Sequence, residues 1–262
     1  MSGSVIHSQS AAMVPAVYSA GQSAQLPVVI DYPAALALRQ MSMVHDELPK
    51  YLLAPEVSAL LHYVPDLRRK MLLATLWNTG ARINEALALT RGDFSLAPPY
   101  PFVQLAPLKQ RIEKAARSQQ THRLVPLSDS WYVSQLQTMV ATLKIPLERR
   151  NKRTGRTEKA RIWEVTDRTV RTWIGEAVAA AAADGVTFSV PVTPHTFRHS
   201  YAMHMLYAGI PLKVLQSLMG HKSISSTEVY TKVFALDVAA RHRVQFSMPE
   251  SDAVTMLKNR HA

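Results

Sequence analysis

Apolar residues recur at helical spacing along most of this chain and alternate with polar ones in only two short runs. PEVSALLHYV places Val57, Leu60, Leu61 and Val64 on one face, and DLRRKMLLATLW continues as a largely apolar helix behind a charged start. Asn78-Thr79-Gly80 breaks that helix, and ARINEALALT opens another with Ile83, Ala86, Leu87 and Leu89 turned inward. PFVQLAPL and HRLVPL then shift the period to two and read as short strands. Their connection, KQRIEKAARSQQT, is basic, polar and too long for a tight hairpin. Helical spacing returns around Trp131 to Leu143, and again in DRTVRTWIGEAVAAAAADG, which Thr166 or Asp167 can cap. The alanine-rich half of that last segment is expected to pack tightly in the core. The pattern predicts a mixed α/β domain, mainly α, with a small antiparallel sheet.

The two ends read differently. Residues 1 to about 30 scatter Ser, Ala, Gly and Pro among short apolar groups with no sustained period, which predicts a flexible or partly ordered arm. From Pro33 to about His45 one helix is expected, ended by Leu48-Pro49. Residues 1–48 are therefore taken as a short N-terminal arm with one helix, 49–247 as the main domain and 248–262 as a C-terminal extension. In that extension Met248-Pro249 looks like a hinge, and Ser251 can cap a short helix carrying Val254, Met256 and Leu257.

Charge changes the picture more than size does. Thirty Lys and Arg against 19 Asp and Glu give +11 and a pI near 10.0, more than solubility requires and suited to a polyanionic partner. The most basic stretch, KIPLERRNKRTGRTEKAR, reads as a loop. Its Arg149, Arg150, Lys152, Arg153 and Arg156 are expected to contact phosphates. With no cysteine there is no disulfide and no thiol chemistry. The sequence shows neither a run of about 18 apolar residues nor the basic start and apolar block of a signal peptide, so no membrane partner and a cytoplasmic location are expected.

The chemistry concentrates in TPHTFRHSYAMHMLYAGIPLKVLQSLMGHKSISSTEVYTKVF. Thr193 can cap a helix that begins at Pro194 and carries His195 and Arg198 on one face. Gly209 stops it, Pro211 opens the next, and Gly220 closes that one, which leaves His221 on a tight turn. Ser225 and Glu228 have capping-box spacing and would start a third helix with Tyr230 in its second turn. These four side chains can converge on an anion. Arg82, beside the Gly80 turn at a helix start, can present its fork to phosphate or pair on the surface with Glu85. Lys109, where the first strand ends, either reaches a site or protects a sheet edge, and Lys114 competes with it further along the loop. No phosphate-binding G-x-x-x-x-G-K-[ST] and no H-E-x-x-H is present. His195, His199 and His204 lack a nearby carboxylate to complete a zinc set, so no metal site is assigned, and His199 and His204 read as packing or hydrogen-bonding residues.

TGARINEALAL, PHTFRHSYAMHML, LMGH and the tyrosine nine residues beyond that histidine together resemble the signature boxes of the tyrosine recombinases, the phage integrase family. The resemblance covers about residues 50 to 240 and is greatest to plasmid-encoded multimer resolvases of the F-plasmid type. It implies a tyrosine-recombinase catalytic domain in which Tyr230 attacks DNA to form a 3′-phosphotyrosine, with no cofactor. Arg82 and Arg198 would clamp the phosphate, His195 would handle the tyrosine proton and His221 would bond a phosphate oxygen. Lys109 would protonate the leaving oxygen, and Glu85 would support Arg82. The implied partners are double-stranded DNA, further subunits in a synaptic complex, as a tetramer, and accessory DNA-binding proteins. A type IB topoisomerase, and a non-catalytic replication or partition factor that binds DNA, are the alternatives. The family's C-terminal helix docks on a neighbouring subunit, a role the resemblance extends to residues 248–262.

Overall fold

The computed structural model of the chain describes residues 32–44, 48–106 and 122–242, with isolated positions toward either end. Helix α1 (Tyr32–Val44) is followed by α2 (Ala54–His62), α3 (Leu67–Thr79) and α4 (Ile83–Ala88). Strands β1 (Phe94–Ser95), β2 (Phe102–Leu105) and β3 (Arg123–Pro126) pair antiparallel in that order, with Val103 opposite Val125 and Leu105 opposite Arg123. Then come α5 (Ser130–Thr142), the hairpin β4 (Glu148–Arg150) and β5 (Thr157–Lys159), and α6 (Asp167–Ala183). Helices α7 (Pro194–Tyr207), α8 (Leu212–Met219) and α9 (Ser225–His242) complete a mixed, mainly helical fold. Among the described residues no helix is long and apolar enough to cross a membrane.

Short polar side chains set the helix starts. Asp66, Asp129, Thr166 and Thr193 each accept from the backbone N–H three residues on, satisfying a donor that the helix itself leaves unpaired. Three expectations fail locally. The Ser225–Glu228 box does not form: Ile224 takes the cap position through its carbonyl, and the Ser225 N–H goes to Ser223 Oγ at 3.3 Å. The basic stretch after α5 is the β4–β5 hairpin rather than a loop, because Arg149 faces Glu158 across the strands and Asn151 Oδ1 accepts from the Arg153 and Thr154 N–H groups at its turn. The alanine-rich half of α6 is buried only along one stripe, at Ala177 and Ala181, since a helix on the outside of the domain covers the core with a single face.

Buried apolar side chains form two clusters. The first, built from α2 to α6 and the three-stranded sheet, includes Leu60, Met71, Leu76, Val103, Val125, Tyr132, Trp163 and Ile174. The second gathers Ala35, Tyr51, Leu53, Leu206, Tyr207, Leu215, Met219 and Tyr230 from α1, α7, α8, α9 and the segment before α2. Helix α7 belongs to both, giving Phe197 to the first and Tyr201, Ala202 and Met203 to the second. Helix α1 packs on α9, and its buried Arg39 pairs with Glu56 and donates to Ser189 Oγ.

Candidate active site

The site forms where the clusters meet. Helix α3 ends at Gly80 in the left-handed conformation (φ 58°), and a Cβ there would lie 2.4 Å from Tyr201 Cδ1, so only glycine lets this turn press against α7. That closeness brings the Gly80 carbonyl to Arg198 Nη1, while Arg198 Nη2 donates to the Met219 carbonyl at 2.7 Å. Arg198 is 3% exposed, and its two carbonyl partners are neutral. Burial, with Arg82 and Arg123 nearby, lowers its pKa to about 10, so it still carries its charge at neutral pH.

Arg82 sits at the start of α4. Its backbone N–H and its Nη1 both donate to Glu85, at 2.8 and 3.0 Å, yet its side chain stays 41% exposed and open to a ligand. Burial pushes the Glu85 carboxyl up, but Arg123 and then Arg82 outweigh it and hold the group below its ordinary range. Two guanidinium groups thus bond to one carboxylate, and Arg198 lies close enough to feel its charge.

The histidines and the tyrosine lie against this surplus of positive charge. His221 follows Gly220 at the end of α8, and its Nδ1 is 2.8 Å from Thr227 Oγ1. Burial first, then Arg198 and Arg82, bring it down to about 4. His195 stacks on His199 with ring centres 5.1 Å apart, and burial and Arg198 lower it as well. His199 Nδ1 is 2.9 Å from the Tyr230 hydroxyl, and burial brings this histidine to about 4. At neutral pH the ring is uncharged, and with its proton on Nε2 it accepts the Tyr230 O–H at Nδ1. Tyr230 is 2% exposed, and burial raises its hydroxyl to about 12 against the pull of Arg198 and Arg82. Such a set of donors can hold an oxyanion, and beside it a protonated phenol stands next to a neutral imidazole.

The sequence profile of the phage integrase family matches residues 50–236, which span every residue of the cluster. The chain belongs to the phage integrase family, the tyrosine recombinases. A resolvase of Escherichia coli strain K12 is 92% identical over 98% of this tyrosine recombinase and 99% of its own length. A probable site-specific recombinase in the afa region of Escherichia coli is 46% identical over 94% of this chain and 96% of its own. Among solved structures, the fold resembles the XerH recombinase bound to a palindromic difH substrate in a post-cleavage complex (TM-score 0.55, 19% identity, 75% of this chain and 53% of that one). It also resembles the XerA recombinase (TM-score 0.53, 20% identity, 76% and 65%). This tyrosine recombinase spans about half to two thirds of the length of those structures.

Of the residues singled out in the sequence, the fold of this recombinase gathers Arg82, Glu85, His195, Arg198, His221 and Tyr230. Lys109 and Lys114 lie outside the described residues. The basic hairpin stands apart: Arg149 is taken up by Glu158 and Glu164, Arg150 Nε donates to the Gly155 carbonyl, and Lys152, Arg153 and Arg156 are exposed near the tip. Sequence reading did not single out Arg123. The available signal was its place on β3 two residues before buried Val125, where strand alternation turns a cation inward and so demands a partner.

Proposed function

We propose that this protein is a site-specific recombinase that cleaves and rejoins DNA through a 3′-phosphotyrosine and resolves plasmid multimers in the cytoplasm. The observation that carries the reading is the Tyr230 hydroxyl, held by His199 beside a cluster of three arginines and one carboxylate. In the forward step Tyr230 Oη bonds to phosphorus, the bond from phosphorus to the 5′-oxygen breaks, and its electron pair leaves with that oxygen. The tyrosine proton passes to His199 Nδ1 rather than, as the family resemblance implies, to His195, because His199 Nδ1 lies 2.9 Å from the hydroxyl while His195 stacks on the ring of His199. Lys109 is assigned the proton delivered to the 5′-oxygen. Arg82, Arg198 and His221 hold the non-bridging oxygens as charge develops on them. The phosphodiester bond energy is stored in the covalent link, so rejoining needs no nucleotide.

The 92% identical resolvase supports the resolution reaction, and the recombinase structures bound to DNA support the partner. Exchange between two duplexes, each cut on both strands, calls for four nucleophiles and hence a tetramer. The deciding experiment incubates the protein with a nicked suicide duplex and resolves the products by denaturing electrophoresis. A covalent adduct is expected with the wild-type chain and none with Tyr230→Phe, which keeps its DNA affinity because only one oxygen is lost. An adduct formed by that variant removes Tyr230 from the role.

A further inference from the structure

Arg123 takes no part in the mechanism above, yet it bonds both to Glu85 and to the end of α8. We propose that Arg123 is a positioning residue of the recombination reaction, fixing Arg82 and His221 relative to one another. The inference rests on the proposed reaction and adds a residue to it.

Arg123 opens β3, and its side chain is 12% exposed. Nη1 and Nη2 each donate to a different oxygen of Glu85, at 3.0 and 2.6 Å, in the parallel two-bond pairing that a guanidinium makes with a carboxylate. The same Glu85 holds the backbone and Nη1 of Arg82. On its other edge, Arg123 Nε donates to the Leu218 carbonyl at 3.0 Å, near the end of α8. The next carbonyl, that of Met219, is taken by Arg198. Two guanidinium groups therefore satisfy carbonyls that the last turn of α8 leaves unpaired, at the negative end of its dipole. The stem of Arg123 also lies against Gly220, where an added Cβ would come within 3.0 Å of Arg123 Cδ, and His221 is the next residue. One planar cation thereby ties the start of α4 to the turn that presents His221. A lysine at this position could not reach both carboxylate oxygens and the carbonyl together, since its single ammonium lacks the fixed fork.

Arg82 and His221 stand on different elements, α4 and the α8–α9 turn. Both must meet one phosphate within about 0.5 Å of the productive geometry. Loss of Arg123 would free that spacing and deprive buried Glu85 of its strongest partner, so that burial moves the carboxyl up toward neutrality.

The test measures single-turnover cleavage of the nicked duplex at saturating DNA from about pH 5.5 to 8.5, for wild type, Arg123→Met, Arg123→Lys and the double variant Glu85→Gln/Arg123→Met. Thermal melting and DNA affinity are recorded in the same buffers. Arg123→Met is expected to cleave about 10²-fold more slowly with affinity nearly unchanged, the scale of a misplacement of about 1 Å. Its acid limb should move to higher pH as Glu85 protonates. Arg123→Lys should remain at least about tenfold slow, and the double variant should lose the displaced limb yet stay slow, because the His221 turn is still unheld. Cleavage by Arg123→Met within about threefold of wild type at every pH overturns the assignment, as does a double variant at the wild-type rate, which would reduce Arg123 to neutralising Glu85. If Arg123→Met lacks a cooperative melt, Arg123→Lys decides, and a rate within about threefold of wild type overturns the proposal. A wild-type chain that forms no adduct overturns the reaction itself, and this assignment with it.

Discussion

The two buried clusters hold different halves of the site by different means. On the side of the first, Arg82, Glu85 and Arg123 are fixed by the Glu85 carboxylate, the Leu218 carbonyl and the Arg82 backbone N–H, all directional bonds. On the side of the second, Tyr230 is held by packing among Tyr201, Tyr207, Leu215 and Met219, with His199 as its hydroxyl partner. The charged groups are placed by directional bonds, whereas the Tyr230 hydroxyl, proposed as the nucleophile, is placed by burial, which raises its pKa and keeps it protonated. Helix α7 spans both clusters and carries His195, Arg198 and His199 at the joint.

Breaking the joint should have the largest effect. Arg198→Ala removes the charged donor proposed for the phosphate and also the group that ties the Gly80 turn to the end of α8. Cleavage should fall by about 10²–10³-fold, the range for loss of one transition-state donor. A rate within tenfold of wild type in a single-turnover assay would place the phosphate elsewhere.

The second cluster can be loosened without touching the chemistry. Arg39→Met leaves the largely buried Glu56 with the Leu53 N–H as its remaining partner among the described residues, and loss of one partner from a buried pair typically costs about 3–5 kcal/mol. Because α1 packs on α9, cleavage should slow more than DNA binding weakens. An unchanged melting temperature would show that α1 does not support the nucleophile's helix.

Acid offers a way to weaken one cluster before the other. Folding lowers His199 and His221 from 6.5 to about 4, so their contribution to stability is present above about pH 6.5 and is lost as pH falls toward 4. Glu85 is also lowered, from 4.5, so its contribution is lost only at more acid pH. Between about pH 6 and 5, hydrogen exchange should therefore speed up in α8 and α9 ahead of α3. Simultaneous loss of protection would mean that the clusters open as one unit.

Much of this was legible in the sequence, for identifiable reasons. Helix starts at Thr166 and Thr193 could be read because a cap is a contact between near neighbours, and the H-x-x-R spacing of His195 and Arg198 follows from one helix alone. The partner of Tyr230 was not legible. His195 and His199 are both on α7, and the crossing of α9 over α7 decides that His199 meets the hydroxyl. Arg123 was hidden for the same kind of reason, since its carboxylate lies 38 residues earlier in the chain. Helix α1 was expected near its observed place, but nothing local shows that Arg39 reaches Glu56 and Ser189.

The smallest effect, and the one that best separates binding from chemistry, belongs to the β4–β5 hairpin. It is anchored to the first cluster by Ile162 and Trp163, while Lys152, Arg153 and Arg156 stand exposed near its tip. Arg149 differs from them. It bridges Glu158 and Glu164, so its charge is already matched within the hairpin. If the tip touches DNA phosphates, replacing Lys152, Arg153 and Arg156 by Ala removes up to three released counterions, and the slope of log affinity against log salt becomes shallower by up to about 2.7. Arg149→Ala should change that slope by much less and should lower hairpin stability only slightly, since the ion pairs are solvent-exposed. The single-turnover rate at saturating DNA should be unchanged in both variants, because neither touches Arg82, Arg198 or Tyr230. A salt slope equal to wild type in the triple variant would mean that the hairpin points away from the duplex.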